Sequence, residues 1–243
     1  MSTQPHIGVL REKSLHAAVK RWYSEPEDEL EATVDGYVVD IVREDAELVE
    51  IQTRSFAPLK TKLRKLTREH RVRLVHPIPA LKWIVRIDEN GEILGRRKSP
   101  KRGRAEHVFE ELVSIPDLIP LPTFTLEVCM IEEEEVRLYD GKGSWRHPEW
   151  RSHDRILVAV VEQRRFHGAE DFLDFLPGAE TLPRPFTNRE LATASGQRLN
   201  LTGKITYCLR KMGVLGVVGK KGNAQLLQEC ECLAAEPAAV LLK

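Results

Sequence analysis

Two short runs rich in β-branched and aromatic residues lie on either side of a polar tetrapeptide, and they constrain the fold more than any other part of the chain. Val34 to Arg43 and Leu48 to Thr53 each read as a strand, and Glu44-Asp45-Ala46-Glu47 reads as the turn between them. A hairpin centred near Asp45 sets Asp40 opposite Glu50. Directly opposed residues bring their Cβ atoms to about 4.5–5.5 Å, and Gln52, two residues beyond Glu50, falls on the same face. Facing carboxylates repel unless a cation lies between them. An oxygen-rich pair of this kind suits Mg²⁺, which takes one or two carboxylates together with water and phosphate oxygens. The plainer alternative is an exposed polar face. Against it stand the flanking Val38, Val39, Ile41, Val49 and Ile51, which predict strands buried on at least one side.

The next segment is basic. Leu59, Leu63 and Leu66 recur at helical spacing within Pro58 to Arg73, surrounded by Lys60, Lys62, Arg64, Lys65, Arg68, Arg71 and Arg73. Val72 to Ile78 then reads as a strand, reached by a right-handed crossover and parallel to the strand it leaves. Ahead of the hairpin, residues 10–24 form a helix candidate with Leu15, Ala18, Val19 and Trp22 on its apolar face.

Helix, meander, helix and strand, with Asp40 followed by Glu50-Ile51-Gln52, resembles the PD-(D/E)XK nuclease superfamily over roughly residues 8–90. Gln52 departs from the usual Lys, although some restriction endonucleases of the superfamily carry Glu-x-Gln. The resemblance implies Mg²⁺ or Mn²⁺ held by Asp40 and Glu50, helped by Glu12 on the first helix, with Gln52 orienting the attacking water. Since Gln52 brings no charge, Lys60 or Lys62 is the candidate for stabilising the transition state. Homodimers are frequent in that superfamily.

The remaining sequence sets limits and offers a second resemblance. The 243 residues accommodate one large domain or two to three small ones. No apolar run reaches the ~20 residues of a membrane span, the N-terminus lacks a signal-peptide pattern, and Cys129, Cys208, Cys230 and Cys232 read as reduced thiols in a cytoplasmic protein. Formal net charge is zero, so contact with nucleic acid has to come from local patches.

One such patch is Arg96 to Arg104, where six of nine residues are cationic. It reads as a solvated linker or as a phosphate-contacting loop through Arg96, Arg97, Lys98, Lys101 and Arg102. Before it, Leu81 to Ile87, the turn Asp88-Glu89-Asn90-Gly91 and Glu92 to Leu94 predict a hairpin. After it come a short helix over 105–113, strands at Phe124–Ile131 and Arg155–Val161, an acidic run Glu132–Glu135 read as an exposed edge or turn, and a turn-rich loop from Asp140 to Trp145. Phe172 to Leu176 reads as a helix stopped by Pro177.

Near the C-terminus, Thr187 and Glu190 have the spacing of a capping box. A second helix is predicted over Thr202 to Met212, and a hairpin follows whose loop is Gly219-Lys220-Lys221-Gly222-Asn223. This order resembles a winged helix-turn-helix domain. The resemblance places Thr202, Lys204, Thr206 and Arg210 on or near a recognition helix, with Lys220 and Lys221 at the wing tip.

The expectation is therefore an α+β protein with three parts. Residues 1–95 form a restriction-endonuclease-like αβββαβ core, 96–180 a basic linker and mixed middle region, and 181–243 a winged helix. The expected function is a metal-dependent DNA endonuclease. The alternative is a nuclease fold that binds nucleic acid or regulates without cutting, and no residue separates DNA from RNA as the substrate.

Overall fold

The computed structural model describes residues 14–142 and 149–230. The fold is α+β, and the chain forms two compact units that interleave along the sequence. Of the described residues, 14–53, 74–105, 128–142 and 149–164 make the first; 54–73, 106–127 and 165–230 make the second.

The first unit opens with helix α1, Ser14–Tyr23. Strands β1 (Glu29–Val34) and β2 (Tyr37–Val42) follow. The sequence reads 34–43 as one strand, yet the chain turns at Asp35-Gly36, where φ is 50° and 82°. Two consecutive positive-φ residues make the tight turn that Asp-Gly favours, because its twist matches that of the flanking strands. β3 spans Leu48–Ile51 and pairs antiparallel with β2.

β4 runs without interruption from Val72 to Ile87. The two strands expected on either side of Pro77 and Pro79 are thus a single strand. β5, Ile93–Lys98, pairs antiparallel with it, so the basic run from Arg96 begins as strand rather than linker. Just beyond, the Gly103 amide donates to the Pro79 carbonyl at 2.8 Å. A Cβ on Gly103 would lie 2.5 Å from that oxygen, so the close approach requires glycine.

Strands β6 (Phe124–Tyr139) and β7 (Trp150–Phe166) complete a sheet of order β1-β2-β3-β4-β6-β7, with β5 on β4. In this unit Leu15, Val19 and Tyr23 of α1 pack on Ile41, Val49, Ile51, Val75, Cys129 and Ile131. That cluster explains the alternation of β2 and β3: their odd-numbered apolar residues meet the apolar face of the helix. Trp22, predicted on the apolar face of the helix, is 48% exposed.

The second unit holds helix α2, Lys60–Leu66, with Leu63 and Leu66 buried as the stripe predicts. It also holds the one-turn helix α3, Phe109–Leu112. Phe109, Phe166, Phe172 and Phe175 form its aromatic cluster, with ring centroids 4.5–6.0 Å apart. Glu170–Phe175 is a 3₁₀ turn, tighter than the helix expected there.

Helices α4 (Asn188–Ser195) and α5 (Leu199–Lys211) follow, then the hairpin of β8 (Leu215–Lys221) and β9 (Ala224–Glu229). Phe186 bridges to Leu227 of that hairpin. Gly219 to Lys221, expected in its loop, belong to β8, which leaves Gly222-Asn223 as the turn. No helix among the described residues is long and apolar enough to cross a membrane.

Candidate active site

The β2–β3 ladder pairs Ile41 with Val49 and Val42 with Leu48. Continued by one residue, this register sets Asp40 opposite Glu50, as the hairpin predicts. Ile51 then turns its amide to a side chain, donating to Asp40 Oδ2 at 2.8 Å. Asp40 thus takes the place of a ladder carbonyl at the point where the two strands part.

His16 of α1 closes the same corner. Its Nε2 lies 3.1 Å from the Ile51 carbonyl and 3.3 Å from Asp40 Oδ2. Both neighbours are acceptors, so Nε2 carries the hydrogen. Burial pushes the Asp40 carboxyl upward. The His16 and Ile51 hydrogen bonds, with the charges of His16 and Lys20, outweigh burial and hold it below 3.8. Asp40 is a carboxylate at neutral pH.

Glu50 is 7% exposed in the middle of β3. Gln52 lies just past the strand. Its amide donates to the Val75 carbonyl at 2.9 Å, and its carbonyl accepts from His76 Nδ1 at 2.6 Å. Burial pulls His76 down from 6.5 to about 4, opposed by the Gln52 carbonyl and reinforced by the Arg155 charge. His76 is therefore a neutral imidazole with its hydrogen on Nδ1.

A charged network lies in the same unit. Arg155 donates through Nε and Nη2 to Glu133 Oε2, at 2.9 and 2.6 Å, and through Nη1 to the Thr53 carbonyl at 3.3 Å. Lys82 Nζ lies 2.9 Å from Glu133 and 3.0 Å from Glu135, and Arg137 meets Glu135 at 2.8 Å. The acidic run Glu132–Glu135 is thus strand interior, with Glu133 fully buried, and is not an exposed edge or turn. Opposite charges on neighbouring strands compensate its burial.

Glu12 lies outside the described residues, as do Trp145 and Cys232. Asp40, Glu50 and Gln52 belong to the first unit; Lys60, Lys62, Arg64 and Lys65, on α2, belong to the second. Arg64 pairs with Asp117. Arg96 pairs with Glu134 at 2.7 Å and lies 3.8 Å over the Trp83 ring, with Lys98 5.9 Å from that ring. Arg97, Lys101 and Arg102 are exposed. Among the described residues, no group of three or more His, Cys, Asp or Glu side chains is placed to hold a metal ion.

On α5, Thr202 and Thr206 are buried and bond Asn188 of α4, so they brace the helix pair rather than face outward. Arg210 bonds Gln225 and Lys221 bonds Glu190, while Lys220 is exposed. The sequence reading misses Tyr207 and Lys211, exposed on α5 with the Lys211 ammonium 6.0 Å from the Tyr207 ring. It also misses His16 as the partner of Asp40, and His76. An i, i+4, i+7, i+11 count through Asn200, Lys204, Tyr207 and Lys211 finds the α5 pair; nothing local marks the two histidines.

These features define an α+β protein with two acidic residues opposed on its meander. Residues 13–167 match the family described as domain of unknown function DUF8091, and the chain belongs to that family. It is also 29% identical, over 229 residues, to an uncharacterized protein of Treponema pallidum (strain Nichols), covering 92% of this chain and 87% of that protein. No solved structure matches it.

Proposed function

We propose that this protein hydrolyses phosphodiester bonds of DNA with a divalent cation, Mg²⁺ or Mn²⁺, held by Asp40 and Glu50. The observation that carries this reading is the β2–β3 register, which continued by one residue sets Asp40 and Glu50 at facing positions where the strands part. The element order supports it: α1, a three-stranded meander, α2, then β4 beside β3, as the PD-(D/E)XK resemblance implies. The donor set fits Mg²⁺, which asks the protein for one or two carboxylates and completes its octahedron with water and phosphate.

When bound, the cation would polarise the scissile phosphate and acidify a bound water. Asp40 is held ionised by Ile51 and His16, as a ligand must be. The Gln52 side chain would orient the attacking water but cannot take its proton. Arg96, Arg97, Lys98, Lys101 and Arg102 would meet phosphates, and Lys204, Arg210, Lys220 and Lys221 would hold DNA on the helix-helix-hairpin segment.

A second reading rests on a specific observation. Asp40 Oδ2 already accepts from Ile51 and lies against His16, and Gln52 stands where the superfamily usually has Lys. Both suit a nuclease-like fold that binds nucleic acid without cutting it.

The test is cleavage of plasmid, linear duplex and single-stranded DNA with Mg²⁺ or Mn²⁺, beside EDTA, Glu50→Ala and Asp40→Asn. Asp40→Asn keeps an acceptor for the Ile51 amide while removing the charge. Metal-dependent cutting that both variants lose, with unchanged circular dichroism, is the expected outcome. Cutting retained by pure Asp40→Asn sinks the site. No cutting, with DNA binding indifferent to EDTA and to Glu50→Ala, selects the second reading.

A further inference from the structure

The basic run after β4 is built around one ring. Across the β4–β5 ladder Trp83 lies opposite Lys98, and Val85 opposite Arg96. Paired residues share a face and successive ones alternate, so Trp83, Arg96 and Lys98 rise from one side of the hairpin and Arg97 from the other. Trp83 is half-buried, while Arg96 and Lys98 are exposed. The Arg96 guanidinium carbon lies 3.8 Å from the indole centroid, which is stacking distance. Glu134 of β6, the next strand on β4, accepts from Arg96 Nε at 2.7 Å.

A surface arginine ordinarily keeps many rotamers. Here the ring below and the carboxylate at one edge hold a planar cation in place, and its outer face is left to solvent. The Arg86–Trp150 pair is looser, at 4.7 Å, and Tyr139 packs edge-on against its ring. Around Arg96 the charge is one-sided: residues 93–104 bring six cations and no carboxylate, in a chain of zero net charge. A flat cation amid phosphate-binding charge matches an unpaired nucleotide, whose base stacks on the guanidinium while its backbone meets the neighbouring cations. Inside a duplex both faces of every base are covered by the next pair, so no base is free to stack there.

We propose that Arg96, seated on Trp83, is a stacking platform for an unpaired base, and that Lys98 beside it takes the adjoining phosphate. This rests on the nucleic-acid contact assigned to the run above and adds what the contact selects: single strands over intact duplex. It does not depend on cleavage or on a cation at Asp40 and Glu50.

The test is fluorescence anisotropy of the full chain with labelled oligothymidylate, oligouridylate and a dumbbell duplex without free ends, in EDTA over a salt series, for wild type, Arg96→Lys and Lys98→Ala. The thymidylate and uridylate arms separate DNA from RNA as the source of the base. Arg96→Lys keeps the charge but loses the flat face. Its single-strand affinity should fall about tenfold with an unchanged salt slope, while its duplex affinity holds. Lys98→Ala should lower the single-strand salt slope by about 0.7. Both side chains are exposed, so the circular dichroism spectrum should not change. Equal wild-type affinity for single strands and duplex overturns the platform, as does full single-strand affinity in Arg96→Lys. A wild type that binds no nucleic acid at low salt overturns the phosphate-contacting role of the run as well, which separates the two failures.

Discussion

His76 shows what burial does to a single side chain. Its Nδ1–H is fixed on the Gln52 carbonyl, and desolvation lowers its pKa from 6.5 to about 4. The folded chain therefore refuses a proton that the unfolded chain accepts. Stability rises with pH between about 4 and 6.5 and is flat with respect to this group outside that window. We expect the His76 ring proton in an NMR titration to stay unshifted down to about pH 4, while an ordinary exposed histidine titrates near 6.5. Urea midpoints followed over the same range should show an acid limb worth about 3 kcal/mol, absent in His76→Gln. A His76 resonance moving near pH 6.5 would show that the imidazole is solvated. Asp40 follows the opposite rule, because hydrogen bonds and nearby cations outweigh its burial.

Among the elements, α4 has the most complete local signal. Thr187 accepts from the Glu190 amide, Glu190 accepts from the Thr187 amide at 2.7 Å, and Gly196 ends the helix in the left-handed region at φ 65°. Thr187→Ala should cost about 0.5–2 kcal/mol, read as a lower denaturant midpoint at constant slope. Lys221 Nζ also donates to Glu190, and this contact, followed by those to Thr187, lowers Glu190 from 4.5 to about 2. The stabilisation is complete above about pH 4.5 and is lost as pH falls toward 2, and Glu190→Gln should remove that dependence. A variant with the wild-type acid limb would show that the box is idle in solution. β2 and β3 are as legible as α4, because alternation and turn composition are local. Reading 34–43 as one strand passes over Asp35-Gly36, although that dipeptide is itself a hairpin signal.

At the scale of the molecule, the two units interleave along the chain, and the family region ends within one of them. Residues 13–167 stop just after Phe166, yet Phe172 and Phe175 complete the cluster around Phe109. A fragment ending at His167 should bury Phe109 poorly and unfold at a lower temperature than the full chain, with dye binding that reports exposed apolar surface. Equal melting temperatures would show that residues 168–243 contribute nothing to that core. The sequence by itself determined helices α1, α2, α4 and α5, the β2–β3, β4–β5 and β8–β9 hairpins and the capping box, since periods of 2 and 3.6 and turn chemistry act within a few residues. Only the tertiary structure decided that β4 runs straight through two prolines, that His16 and His76 fasten the corners around Asp40 and Gln52, and that Glu133 is buried against Arg155 and Lys82. Each of these depends on which distant segment packs alongside, and no local periodicity encodes that choice.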